Sequence, residues 1–388
     1  MPKQKTSLMA IPGMNSFIAS LISIGVGLLF GLIMLFLFNA PFAMVGFKSL
    51  VTAGVSSSDK LAKVLYQAAP LLMTGLSVGF AFKTGLFNIG ASGQYTVGAG
   101  LALIFAIQFQ QPWYVCLVAA MVAGAIWGMF PGLFKALFNV NEVITAIMFN
   151  WISVFALNMT ISNLPMMLAK AWGLAQMDRT APLSKANPAA LIPKLGLDKL
   201  MNSNYMNISI FIAILFAVVM WIILNKTTFG YELKACGFNR NASIYAGINA
   251  KRNIVLSMVI AGALSGIGGG LYYLAGTGQY TLVKTLLGMG FNGIPVALLA
   301  SSHPLGTIFS ALFVSYIQVG GDAMQPEFVR EIIDIIIAVI IYLAAFSLLV
   351  RELLGRRQVK ASFAEPAPAA PTAKAGEAND SESEGDEE

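Results

Sequence analysis

About ten stretches of this 388-residue chain are apolar over a length that approaches or reaches a bilayer's thickness. A hydrocarbon core of ~30 Å takes about 20 apolar residues in helical form. The stretches fall at 16–38, 62–82, 88–108, 113–134, 141–160, 205–225, 253–274, 286–300, 304–320 and 330–350. Two of them, 286–300 and 304–320, are short for a span. Charged residues make up 11% of the chain, against about 25% in soluble domains. The reading is an all-α integral membrane protein of about ten transmembrane helices, with broken or short helices near the centre. Residues 16–38 are too long for a signal-peptide core and lack a clean cleavage site, so they are expected to remain as the first span.

Two of the stretches carry similar interruptions. One reads Phe87-Asn88-Ile89-Gly90-Ala91-Ser92-Gly93-Gln94-Tyr95, the other Phe291-Asn292-Gly293-Ile294-Pro295. Each sets an asparagine after a phenylalanine and then a helix breaker. Irregular backbone at membrane depth is tolerated only where protein buries it or it lines a cavity. Interrupted segments in both halves of a chain point to a transport site.

Charge sets the expected orientation. The net charge of +6 comes largely from basic residues that flank the spans, as the positive-inside rule describes. Lys83, Lys135, Lys226, Lys234, Arg240, Lys251, Arg252, Arg351, Arg356, Arg357 and Lys360 fall on one side if the termini are cytoplasmic. Lys48, Lys60 and Lys63 count against that choice, and the balance favours both termini inside. The domains that follow are a cytoplasmic N-terminus at 1–15, a transmembrane permease-like body at 16–355 and a tail at 356–388. Within the body, 161–204 is an extracytoplasmic segment, either a small cap of short helices or a plain connector. The tail ends in Glu377, Asp380, Glu382, Glu384, Asp386, Glu387 and Glu388 and is expected to be disordered and cytoplasmic.

The same residues exclude several functions. No phosphate-binding Gly-Lys-Ser or Gly-Lys-Thr occurs, nor HExxH, GxSxG or CxxC. His303 is the sole histidine, and Cys116 and Cys236 are far apart without a partner motif. No enzyme, metal site or cofactor is expected, and nothing suggests a nucleic-acid partner. The spans hold almost no charge. Glu142 and Asp334 sit at helix ends, where charges reach the interface. That absence argues against an ion-coupled carrier, which keeps ionisable groups within its spans.

What the spans do hold is neutral polarity: Gln67, Asn88, Ser92, Gln94, Tyr95, Asn150, Asn158, Asn292 and Gln318. Such groups can bind a hydroxyl-rich neutral solute or bond helices together. Phe87, Trp151 and Phe291 could stack on a ring. The candidate path is Phe87, Asn88, Gln94, Tyr95, Asn150, Trp151, Phe291 and Asn292. Small-xxx-small patterns at Gly75/Gly79, Gly124/Gly128/Gly132 and Gly262/Gly266/Gly270 read as close helix packing. In the loop at 226–252, helical spacing gives Ala242, Tyr245, Ala246 and Ile248 a small apolar face, with Gly247 as a stop. A docking partner and the lipid surface both fit that face.

The loop Gly230-Tyr-Glu-Leu-Lys-Ala-Cys-Gly-Phe-Asn-Arg-Asn-Ala-Ser-Ile-Tyr-Ala-Gly-Ile, followed by Ser257–Gly270, resembles the coupling region of ATP-binding-cassette importer permeases of the branched-chain amino acid/simple sugar type. Ala69–Leu76, Phe87–Gln94, Asn141–Thr145 and Gly288–Leu299 with His303-Pro304-Leu305-Gly306 are similar to its nucleoside-uptake branch. The resemblance covers most of 60–350. It implies a permease subunit of an importer in a bacterial cytoplasmic membrane, powered by two cytoplasmic ATPase subunits. It also implies a second permease subunit, expected to be a different chain and otherwise a second copy, and an extracytoplasmic binding lipoprotein or periplasmic receptor. The family's coupling helix maps onto Asn239–Asn249, so Asn239, Ala242, Tyr245, Ala246, Gly247 and Ile248 are the expected ATPase contacts. The solute would be a nucleoside, or alternatively a simple sugar such as ribose. A self-sufficient secondary carrier is the contrasting reading.

Overall fold

A computed structural model describes residues 14–345, with side-chain surroundings for 25–340, 342 and 343. The acidic tail and residues 1–13 lie outside the described residues. All regular elements among those described are helical. They run α1 (Met14–Asn39), α2 (Ala43–Thr52), α3 (Ser58–Lys83), α4 (Ala91–Ile107), α5 (Trp113–Phe138), α6 (Glu142–Asn163), α7 (Leu183–Ala186), α8 (Leu197–Met201), α9 (Ser209–Lys226), α10 (Thr228–Phe238), α11 (Arg240–Tyr245), α12 (Ala250–Leu274), α13 (Gly288–Leu299), α14 (Pro304–Asp322) and α15 (Arg330–Ala345).

Seven helical stretches are long and apolar enough to cross a membrane: Gly25–Val55, Ser58–Lys83, Trp113–Phe138, Glu142–Asn163, Ser209–Lys226, Ala250–Leu274 and Pro304–Asp322. The chain is a multi-pass membrane protein. α4 and α13 are shorter apolar helices. Leu29, Ile33 and Leu37 on α1, Met148 and Phe155 on α6, and Phe211 and Leu215 on α9 all face outward. Helices apolar on their outer faces need lipid or a protein partner there.

The core is built round α12, which packs on α3, α4 and α5. Its glycines allow backbones to touch. A Cβ on Gly124 of α5 would lie 2.2 Å from the Gly262 carbonyl oxygen and 2.8 Å from Gly266 Cα. The small-residue spacing thus reads as packing, as expected. α3 is buried without interruption from Ala68 to Ala81. Ser57 caps its start, its Oγ accepting from the Lys60 N–H at 3.2 Å, which satisfies a donor the helix leaves unpaired.

Two features depart from the sequence reading. α2 occupies a stretch expected to be a connector. Lys48 breaks the apolar run there, yet Gly46 lies against Phe328 and Leu50 is buried against Gly320. The second interruption is not a break at Asn292 either. Pro295 cannot donate to the Phe291 carbonyl, but α13 continues through it. The real irregularities lie on both sides, at 275–287 and in the turn at Ser301 and Ser302, whose φ values are +50° and +55°.

The ends of the bundle differ. One end gathers Lys83, Lys234 and His303. There Lys135 on α5 pairs with Glu142 on α6 at 3.0 Å. The opposite end carries the 164–208 segment, which folds as a cap. Asn187 Nδ2 donates to the carbonyls of Ala106 and Gln111, both at 2.9 Å. Ile192 N–H donates to the Leu274 carbonyl at 3.0 Å, and Thr180 N–H to that of Tyr280 at 2.9 Å. Met167, Ala181, Leu183 and Ile192 are its buried apolar contacts.

Candidate translocation and coupling sites

The interruption between α3 and α4 is real, and it is held by polar side chains. Gly85 sits at φ +73°, where a side chain would be strained. Asn88 is fully buried and Gln94 nearly so. Their amides pair reciprocally: Asn88 Nδ2 donates to Gln94 Oε1 at 2.8 Å, and Gln94 Nε2 to Asn88 Oδ1 at 3.1 Å. Asn88 Nδ2 also donates to Ser77 Oγ at 3.0 Å. Asn150 of α6 clamps the same turn. Its Oδ1 accepts from the Gly93 N–H at 2.8 Å and its Nδ2 donates to the Ile89 carbonyl at 3.1 Å. Irregular backbone inside a membrane needs such partners.

Of the residues that sequence patterning put on a path, Asn88, Gln94, Tyr95 and Asn150 are therefore buried in the scaffold. The Tyr95 hydroxyl is buried without a partner. Phe87 is half-buried and stacks on Phe82, with ring centres 5.3 Å apart. Trp151 is exposed on α6, stacked on Phe155. Phe291 and Asn292 are half-buried on α13. Asn158 is engaged too: its Nδ2 donates to the Val283 carbonyl at 2.8 Å and its Oδ1 accepts from the Tyr280 hydroxyl at 3.0 Å. Burial pushes the Tyr280 phenol up to about 12, so it stays protonated and can donate.

Asn292 lines a cavity of about 420 Å³ toward the cap end. The walls come from Gln67 on α3, Tyr272 on α12, Gly288 and Met289 on α13, Gln318 and Asp322 on α14, and Arg330, Asp334, Ile337 and Ala338 on α15. Asp322 pairs with Lys63 at 2.9 Å. Arg330 and Asp334, one turn apart on α15, approach to 3.9 Å. Sequence reasoning named Gln67 and Gln318 only as polar residues inside spans and missed Tyr272 and Gly288. The available signal was spacing. Lys63/Gln67 and Gln318/Asp322 are each four apart, which puts each pair on one helix face.

At the basic end, α10 and α11 form a second concavity. It measures about 520 Å³ and is lined by Thr228, Tyr231, Glu232, Ala235, Phe238, Asn239, Ala242, Ser243, Ala246 and Ile248. Asn239 caps α11, its Oδ1 accepting from the Ala242 N–H at 3.0 Å. The expected helix over Asn239–Asn249 is shorter, Arg240–Tyr245. It stops where Gly247 takes φ +82°. The expected single face divides. Ala242, Ala246 and Ile248 line the groove, whereas Tyr245 is 94% exposed and absent from its lining. Phe238, on the groove's rim, is 92% exposed. Two aromatic rings this bare, next to an apolar groove, are what a protein partner or a membrane surface would cover.

A multi-helix membrane body with a polar cavity near one end and an apolar groove at the other has the anatomy of a transport subunit. Residues 60–345 match the family described as the branched-chain amino acid transport system / permease component, and the chain belongs to that family. It is 35% identical over 354 residues to the guanosine ABC transporter permease protein NupP of Bacillus subtilis, covering 89% of this chain and 98% of that protein. It is 36% identical over 354 residues to the nucleoside ABC transporter permease protein NupB of Lactococcus lactis, covering 89% and 95%. A second Bacillus subtilis protein, the guanosine ABC transporter permease protein NupQ, is 31% identical over 264 residues, covering 66% and 79%. No solved structure matches.

Proposed function

We propose that this chain is the membrane-spanning permease subunit of an ATP-driven importer of nucleosides in a bacterial cytoplasmic membrane. One observation carries the reading: likeness at 35–36% identity, over nearly their whole length, to two permeases named for guanosine and nucleoside transport. The near absence of charge within the spans supports it, because the energy must then come from outside this polypeptide. The groove of α10 and α11 is the docking surface for an ATPase subunit, with Ala242, Ala246 and Ile248 inside and Tyr245 beside it. A second permease of different sequence completes the pore, as NupP and NupQ are both named guanosine permeases of one organism. A receptor outside the membrane delivers the solute at the cap end.

The seven long helices, with α4, α13 and α15, make up ten spans, and both termini lie in the cytoplasm. ATP-dependent closure of the ATPases moves α10 and α11 and shifts the population between outward- and inward-open states. Only binding that differs between the two states can do this. Among the sequence-predicted path residues, Phe291, Asn292 and Trp151 remain the candidates for solute contact. Cells lacking this chain, with other nucleoside systems removed, should lose uptake of labelled nucleoside. Undiminished uptake would overturn the assignment.

A further inference from the structure

The amides inside the bundle divide into two groups. Asn88, Gln94, Asn150, Asn158 and Asn187 all bond to partners within the protein. Gln67 Oε1 is buried with no partner. Asn292 and Gln318 form none of the side-chain hydrogen bonds found among the described residues, and all three line the 420 Å³ cavity. A buried amide without a partner carries a desolvation penalty that a ligand can relieve. Gln67 Oε1 is such a group, and the half-buried amides of Asn292 and Gln318, from two other helices around the same cavity, complete a ligand-reading set.

Of the charges beside them, Lys63 pairs with Asp322 at 2.9 Å, and Arg330 lies 3.9 Å from Asp334, both of these largely exposed. By helical spacing, Gln67 and Gln318 sit one turn deeper than the Lys63–Asp322 pair. The Tyr272 ring is fixed by the Tyr66 ring, stacked with centres 5.4 Å apart, and the Tyr66 hydroxyl donates to the Tyr272 carbonyl at 3.0 Å. The cavity is mostly polar, with Met289, Ile337 and Ala338 as its apolar share, and its volume lies within the usual small-molecule range of about 300–1,000 Å³.

We propose that this cavity, rather than the Asn88 turn, is the solute-binding chamber of the permease. Gln67, Asn292 and Gln318 would read the donor and acceptor edge of a neutral nitrogenous ring, and Tyr272 would supply a face. The substrate class rests on the nucleoside reading above; the location of the chamber does not. Paired amide donors and acceptors suit a nucleobase, whose edge presents both, and a fully ionised ligand would leave its charge unmatched.

Gly288 offers the sharpest test. It lines the chamber, and a Cβ there meets nothing within 4 Å. Gly288→Phe should fill the space without forcing neighbours apart. Gly25 is equally open but lies on the outward side of α1, so Gly25→Phe is the control. The assembled transporter is placed in proteoliposomes with ATP and receptor, and import of labelled guanosine, uridine and ribose is followed. Assembly is verified by co-purification of the ATPases. The expected result is at least a tenfold loss of import for Gly288→Phe and none for Gly25→Phe. Gln67→Leu and Gln318→Leu should each lower import at limiting nucleoside by about tenfold, which corresponds to one hydrogen bond, and should alter the guanosine-to-uridine ratio. If ribose is the solute carried and Gly288→Phe still blocks it, the chamber stands and the nucleoside class falls. Wild-type import by assembled Gly288→Phe and Gln67→Leu would overturn the chamber for any solute.

Discussion

The Asn88–Gln94 pair makes a prediction that separates scaffold from pathway. Asn88→Ala removes three hydrogen bonds. It leaves the Gln94 amide with a buried donor and a buried acceptor, each costing about 1–3 kcal/mol unpaired, so the total is about 2–6 kcal/mol. Gln94→Ala orphans Asn88 Oδ1 and one of the two Nδ2 hydrogens, the other keeping Ser77 Oγ, and costs about 1–3 kcal/mol for each group left unpaired. The double variant leaves only Ser77 Oγ short of a donor, and that hydroxyl still donates to the Ala261 carbonyl at 2.6 Å. Its loss should hardly exceed that of Asn88→Ala alone. The coupling should fall in the range of about 0.5–3 kcal/mol for neighbours, towards the low end, since membrane hydrogen bonds average about 0.6 kcal/mol in such cycles. Unfolding of the purified complex in mixed micelles measures the cycle, and import per folded complex is measured in parallel. Import should stay within about twofold of wild type, because neither amide lines the cavity. Additive stability losses, or a tenfold drop in import by a stable Asn88→Ala complex, would refute the scaffold role.

Other positions give independent checks. Ala246→Glu places a charge in the apolar groove of α10 and α11 and should abolish co-purification of the ATPase while the protein still inserts; a pull-down alongside a membrane-extraction assay reads both. Gly124→Leu drives side-chain atoms into the Gly262 carbonyl, 2.2 Å from where a Cβ would sit. It should destabilise by about 3 kcal/mol or more, seen as loss of a monodisperse peak in size-exclusion chromatography. Asn187→Ala frees the cap from the α4 end by removing two hydrogen bonds. It should cost about 1–3 kcal/mol and speed protease cleavage within 164–208, leaving α3 and α12 protected.

The sequence made the long helices legible because each is a run of apolar residues, and α3, α5, α6, α9 and α12 begin and end within a few residues of the expected bounds. α2 was hidden because Lys48 interrupts its apolar pattern and tertiary contacts at Gly46 and Leu50 stabilise it. The two Phe-Asn motifs show the limit more sharply. Read as strings they are alike, with an asparagine beside a breaker. What differs is their neighbours. Asn88 meets Gln94 and Ser77, so its polarity is consumed by the fold. Asn292 faces a cavity, and the amides that share it, Gln67 and Gln318, come from helices far away in sequence. A pattern along the chain cannot report whether a polar group is satisfied, because that depends on what folds against it. The 226–252 loop was legible only in part: its stop at Gly247 is local and was readable, whereas the shorter helix Arg240–Tyr245 and the turning of Tyr245 away from Ala242, Ala246 and Ile248 depend on the fold around it.

Nucleoside import through this chain should require energy supplied by another polypeptide, and reconstitution reads that requirement. Proteoliposomes holding the permease pair and its ATPases, with receptor outside and ATP at the ATPase face, should accumulate labelled nucleoside, and those without ATPase or ATP should not. Accumulation by the purified chain alone, driven by an imposed ion gradient, would show instead a self-sufficient carrier.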